Sequence, residues 1–330
     1  MEPLPSAEEL AACAHVVALP MATRFRGTDV REAVLLEGPR GWSEFAPFPE
    51  YPDAEAATWL AGAIDFGWRA QPHPLREQIP VNATVPAVPA DAVPGILNRY
   101  DGCRTAKVKV AEAGQSLAED AARVRAVRDA LGPTGRIRVD ANGAWTVDEA
   151  ERAVRRLAEF DLEYVEQPCG SVPELAELRR RVARLGILVA ADESVRKADD
   201  PLAVARAGAA DILVVKAAPL GGVRRALRIV AQARLPAVVS SALDTSVGVG
   251  MGVALAAALP DLPYDCGLAT ASLFLRDVSD PAAVPHGGVL PVRAPRPDPA
   301  LIAECAVPAE RRSWWLARMR RCRALLGPAD

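Results

Sequence analysis

The sequence predicts an α/β protein: a (β/α)7β TIM-like barrel carrying an α+β N-terminal capping domain. Three observations lead there. Short apolar or β-branched runs recur through the middle of the chain, each ending near a residue able to do chemistry: Lys109, Asp140, Glu166, Asp192, Lys216 and Ser240. Their spacing is nearly constant, 26 residues from Asp140 to Glu166 and again to Asp192, then 24 to Lys216 and 24 to Ser240, after a first step of 31 from Lys109. Such a step holds one strand, one helix and two short loops. Helical patterns fill the gaps, and no Gly-x-Gly-x-x-Gly fingerprint follows the first strand, which argues against an open doubly wound sheet.

The elements follow in order. Residues 1–78 read as the capping domain. His15–Ala18, Val30–Leu36 and Gly41–Phe45 alternate like an antiparallel meander, with a Gly38-Pro39 turn, and Asp53 is placed to cap a helix from Ala54 to about Trp68. Two loops stand out. Residues 20–27 carry Arg24 and Arg26, which can pair with an anionic substrate, or can equally be solvated. Residues 45–51 are aromatic and proline-rich, suited to an apolar wall or to packing within their own domain.

The barrel is assigned to 79–270. Its eight strands are Val81–Val88, Ala106–Val110, Arg136–Val139, Glu163–Glu166, Leu188–Ala191, Asp211–Lys216, Ala237–Ser241 and a weaker one near Tyr264–Gly267. Strands this apolar belong to a parallel sheet covered on its outside. Ser116 with Glu119 forms a capping box, Thr146 caps the next helix, and Pro173 and Pro201 open two more. The segment 271–330 is Pro-rich, then basic. It is expected to return to the capping domain, ending in a docked helix, although a membrane-surface or partner helix is the alternative.

Barrel active sites lie at the C-terminal strand ends. Lys107 and Lys109 share one face of strand two, Asp140, Glu166 and Asp192 end strands three to five, and Lys216 ends strand six, across the ring from strand two. Three carboxylates on one arc repel each other unless a cation joins them, and rigidly held oxygen ligands suit Mg²⁺, with Mn²⁺ as a substitute. A hard cation can take a substrate carboxylate, and a lysine of lowered pKa can remove the neighbouring proton. Asn142, two residues beyond Asp140, is expected to support a ligand of the metal without binding the metal itself. Ser240, Ser241 and Gly267, at the ends of strands seven and eight, are assigned with Arg26 to substrate binding. The glycines of Gly248-Val249-Gly250-Met251-Gly252 open a helix whose free N–H groups can hold an anion, or simply allow close packing.

The chain has 330 residues, 50% apolar and 25% charged, with net charge −3, which gives no reason to expect nucleic acid. No apolar run is long enough for a membrane span, and the acidic, polar start does not read as a signal peptide. Six scattered cysteines without a Cys-x-x-Cys pair suggest reduced thiols in the cytoplasm. With only His15, His73 and His286, a histidine-rich zinc site or a His-dependent triad is disfavoured.

The pattern Lys107-x-Lys109, Asp140-x-Asn142, Glu166-Gln167-Pro168, Asp192-Glu193-Ser194 and Lys216 resembles the enolase superfamily, in its muconate-lactonizing subgroup, whose use of a Lys or His base with Mg²⁺ is well known. The resemblance implies Asp192, not Glu193, as the ligand, and two loops of the capping domain over the barrel mouth. Residues 25–38, 41–51, 105–112, 165–169 and 240–260 further resemble the o-succinylbenzoate synthases of actinobacterial type, over most of 14–270. That resemblance implies a small carboxylate substrate, dehydration of 2-succinyl-6-hydroxy-2,4-cyclohexadiene-1-carboxylate in menaquinone synthesis, Lys109 as base and then acid, Lys107 stabilising charge, and Lys216 as a cation over the opposite face. A racemase of N-acylamino acids or an epimerase of dipeptides fits the same lysine pair, and a non-catalytic binding barrel is the alternative from another class.

Overall fold

The structure, a computed structural model, describes residues 4–25, 27–196 and 200–327. Seven strands lie side by side in chain order and parallel: Ala83–Val85, Thr105–Lys109, Arg136–Asp140, Leu162–Glu166, Leu188–Ala191, Ile212–Val215 and Ala237–Val239. Their register sets Lys109 opposite Asp140 and Asp140 opposite Glu166, so the functional residues come level at one end of the sheet. Helices Leu117–Leu131, Val147–Leu157 and Val172–Val182 each start in a capping box, from Ser116, Thr146 and Ser171 with the Glu three residues on.

The eighth position is thinner than expected. Instead of a strand near Tyr264–Gly267, Cys266 bridges Val81 and Gly267 bridges Ser240. Cys266 N donates to Pro80 O at 2.7 Å and Gly267 N to Val239 O at 2.8 Å, which joins the two sheet edges. A Cβ on Gly267 would stand 2.7 Å from Ser240 Oγ, so any larger residue at the seam would displace that hydroxyl. The first strand is also shorter than the expected Val81–Val88, because Pro86 follows directly and cannot donate to a ladder. The helix expected from Pro201 is a single turn, Ala203–Arg206.

The meander comprises Ala14–Phe25, Thr28–Gly38 and Gly41–Phe45. The stretch 20–27, expected as a loop, instead continues the first strand to Phe25: Pro20 pairs with Val30 and Phe25 with Thr28, across a register shift. Proline is tolerated there because this strand is at the sheet edge. Asp53 does not cap the helix Asp53–Trp68. It is that helix's first residue, and its carboxylate accepts from Arg321 Nε at 2.6 Å.

The C-terminal segment runs back across the molecule. Val289–Pro291 pairs antiparallel with Gln78–Pro80. The basic helix Ala309–Leu325 buries Trp315, Leu316, Met319 and Cys322. Trp315 stands edge-on to Phe45 at 6.1 Å and donates to Glu32 Oε2 at 3.1 Å. The apolar stripe is therefore docked on the meander. Truncating this buried ring in Trp315→Ala is expected to cost about 3–5 kcal/mol, read by urea unfolding; a loss under ~1 kcal/mol would mean that the helix contributes little to the fold. Among the described residues no helix is long and apolar enough to cross a membrane.

Candidate active site

The parallel register brings the expected lysines and carboxylates together. Lys107 Nζ lies 3.0 Å from Asp140 Oδ2 and 2.7 Å from Glu166 Oε1. Lys109 Nζ donates to Asp140 Oδ2 and to Asn142 Oδ1, both at 2.6 Å. Across the ring, Lys216 Nζ lies 2.5 Å from Asp192 Oδ2. Lys107, Lys216 and the three carboxylates are buried. Lys107, Lys109, Asp140, Asp192 and Lys216 line a cavity of about 30 Å³ together with Ser240, Ser241, Gly267 and Asn142.

Burial at this density separates the charges' affinities for protons. Burial and the Asp140 carboxylate push Glu166 up to about 7. Asp140 is held well below the usual carboxylate range, because Lys107 and Lys109 outweigh the cost of its burial. Burial opposes the Lys107 charge too, yet Asp140 and Glu166 hold that ammonium well above its ordinary value. Lys216 moves the other way: burial lowers it, and Asp192 offsets this only in part. Two lysines in one site thus differ because one has two carboxylate partners and the other has one.

Asp192 and Glu193 point different ways. Asp192 faces the cavity, whereas Glu193 begins the short helix Glu193–Arg196 and accepts from Arg196 Nη2 at 2.7 Å and Asn142 Nδ2 at 3.2 Å. Asn142 therefore links Lys109 to Glu193, and its backbone N donates to Asp140 Oδ1 at 3.0 Å. Arg26 lies outside the described residues. Ser240 Oγ reaches Gly267 O at 3.5 Å, and Ser241 Oγ is 2.6 Å from Thr270 Oγ1. The glycine-rich helix start does not offer free N–H groups. Ser246 N donates to Asp277 and Gly248 N to Glu44, so the protein's own carboxylates occupy the place expected for a substrate anion.

Several residues at the site were not anticipated. Phe25 places its ring 5.5 Å from Lys109 Nζ. Arg196 donates to Asp192 Oδ1 at 3.0 Å and to Tyr51 Oη at 3.4 Å, tying the aromatic loop of the cap to the end of strand five. Its i,i+4 spacing from Asp192 was the available signal. Gln167, at φ +37°, accepts from Asp192 N at 3.0 Å and Ser194 N at 3.2 Å, and so fastens the end of strand four to strand five.

Among the described residues, no three carboxylate, thiol or imidazole groups converge as a ready metal cage. The residues nonetheless fit a hard divalent cation. Glu166 Oε2 is buried with no hydrogen-bond partner, and Lys107 places a positive charge between Asp140 and Glu166. The donors are all carboxylate oxygens from successive strand ends.

Comparison with known proteins agrees with this geometry. Residues 96–297 match the family model described as enolase C-terminal domain-like, and residues 16–67 match enolase N-terminal domain-like. The chain is 55% identical over 324 residues to the o-succinylbenzoate synthase of Mycolicibacterium smegmatis, covering 98% of this chain and 99% of that one. It is also 55% identical over 313 residues to the o-succinylbenzoate synthase of Mycobacterium marinum, covering 94% of each. In fold it is similar to a muconate lactonizing enzyme of Pseudomonas fluorescens complexed with muconolactone, with TM-score 0.75 at 21% identity, over 89% of this chain and 98% of that one. With both domains matched and more than half of all residues shared over nearly its full length, the chain belongs to the o-succinylbenzoate synthase family of the enolase superfamily.

Proposed function

We propose that this protein is a lyase that dehydrates 2-succinyl-6-hydroxy-2,4-cyclohexadiene-1-carboxylate to o-succinylbenzoate, a step of menaquinone synthesis in the cytoplasm. The observation that carries this reading is the 55% identity to two synthases over nearly the whole chain. Lys109, as the neutral amine, removes the proton from the carbon bearing the carboxylate. The ammonium so formed returns that proton to the departing hydroxyl. One C–H and one C–O bond break, water leaves, and the ring becomes aromatic. Lys107 balances the negative charge that develops on the carboxylate oxygens. Lys216, on the opposite strand, faces the other side of the ring and stabilises its electron-rich face as a cation. Ser240, Ser241, Gly267 and Arg26 contact the substrate.

Asp140, Glu166 and Asp192 are the residues that would hold Mg²⁺. When bound, Mg²⁺ supplies Lewis-acid stabilisation of charge on a substrate carboxylate. The ion pairs these carboxylates make with Lys107 and Lys216 are the contacts the metal would replace. Asn142 orients Lys109 and, through its backbone N, Asp140.

Lysines on opposite strands also suit proton transfer between the two faces of an N-acylamino acid, so the decisive assay includes both reactions. Loss of the cyclohexadiene absorbance is followed with Mg²⁺ and with EDTA, beside α-proton exchange of N-succinyl amino acids in D₂O. Dehydration is expected with Mg²⁺, is expected to stop in EDTA, and is expected to return with Mg²⁺ or Mn²⁺. Fast exchange without dehydration would assign the protein to the racemase reaction instead.

A further inference from the structure

The loop after strand seven has two faces. Its inner face, from Ser240 to Leu243, lines the catalytic cavity. Its outer face is gripped by two buried side chains of the meander, one a guanidinium donor and the other a carboxyl acceptor. The Arg31 guanidinium, 2% exposed, donates through Nε to Leu243 O at 3.0 Å and through Nη2 to Ala242 O at 3.4 Å. It also reaches Ala46 O and lies 4.3 Å above the Phe48 ring. Glu44, also 2% exposed, accepts from Thr245 N at 3.1 Å, from the Thr245 hydroxyl, and from Gly248 N at 3.3 Å.

The division of labour is complementary. Arg31 satisfies carbonyls of the wall itself, and Glu44 satisfies N–H groups at the helix start directly behind it, so the wall and its backing are completed by a separate domain. The wall needs such support. Leu243 is held at φ +64°, a left-handed conformation that a non-glycine residue keeps only where its surroundings fix it. Glu44 sits so close that a Cβ on Gly248 would stand 2.6 Å from its Oε1. Arg31 and Glu44 themselves are absent from the cavity lining.

We propose that Arg31 and Glu44 are positioning residues that set the shape of the Ser240–Leu243 wall and thereby the fit of the substrate, without taking part in proton transfer. The inference rests on the dehydratase reading above. It assigns to the strands of the cap, and not only to its loops, a part in substrate recognition. Lysine cannot replace Arg31, because a point donor lacks the fork that spans adjacent carbonyls. Glutamine can replace Glu44, because its amide oxygen still accepts from Thr245 and Gly248. Burial and the Asp244 carboxylate push Glu44 up to about 8, which favours a neutral group at this place near neutral pH.

The test is steady-state kinetics on the cyclohexadiene at saturating Mg²⁺ with Arg31→Lys, Glu44→Ala and Glu44→Gln. Arg31→Lys and Glu44→Ala are expected to raise KM about tenfold or more, with kcat within about threefold of wild type and an unchanged Mg²⁺ midpoint. Glu44→Gln is expected to restore KM to within about threefold of wild type. Thermal melts establish that each variant is folded, and if Glu44→Ala does not fold, Arg31→Lys decides alone. An unmoved KM in folded Arg31→Lys, or a loss confined to kcat, overturns the proposal while the dehydratase reading stands. A wild type that binds Mg²⁺ but does not dehydrate the substrate overturns both.

Discussion

Lys109→Ala is expected to lower kcat for dehydration by on the order of 10⁴-fold, the upper range for a single general acid–base group, because in the proposed reaction this one amine both takes and returns the proton. Lys109 ends strand two with Asp140 and Asn142 on its ammonium, and Phe25 covers it from the cap. Its loss leaves Glu166 and Asp192 with all their present partners, so Mn²⁺ binding, followed by electron paramagnetic resonance, is expected to persist. That pairing of outcomes separates a lost base from a lost site. Turnover within about tenfold of wild type would remove Lys109 from the base role. Lys216→Ala is not equivalent: Lys216 pairs with Asp192 alone, so its removal disturbs a carboxylate as well as a cation.

The second large effect is expected in Glu166→Gln. Glu166 is fully buried, one oxygen is paired with Lys107 at 2.7 Å, and the other has no partner. Gln keeps the volume and removes the charge. Loss even of an outer partner commonly costs 10–100-fold in metal affinity, so a direct ligand is expected to cost about 100-fold or more in the Mg²⁺ titration midpoint. Activity is expected to recover only partly at high Mg²⁺, since Lys107 is left with Asp140 as its single carboxylate. A titration superimposable on wild type would take Glu166 out of the ligand set.

The barrel and its polar residues were legible in the sequence for a physical reason. A parallel strand buried on both faces must be apolar, so Lys107, Asp140, Glu166 and Asp192 stood out against Val and Ala at a regular step. The capping boxes of Ser116 and Thr146 were equally local and equally readable. What escaped was pairing through space. Arg196 meets Tyr51, Asp53 meets Arg321, and Glu44 fills the helix start at Gly248, in each case across more than a hundred residues. No local pattern carries such a partner. The hairpin around Pro20 was missed because proline suggests a loop, whereas an edge strand does not need its missing donor. The eighth strand was overestimated because closing the ring takes only the bridges at Cys266 and Gly267.

The docking of the helix Ala309–Leu325 on the meander also matters during synthesis. Phe45 emerges from the ribosome early, and the Trp315 ring that covers it comes some 270 residues later. At ordinary elongation rates that interval is on the order of half a minute. Through it the barrel strands can emerge and pair one after another, while the Phe45 ring lacks its final cover. Chains stalled before residue 309 are therefore expected to leave this apolar site open and to be held by chaperones. In the order of birth, the part that covers the active site is the last to become secure.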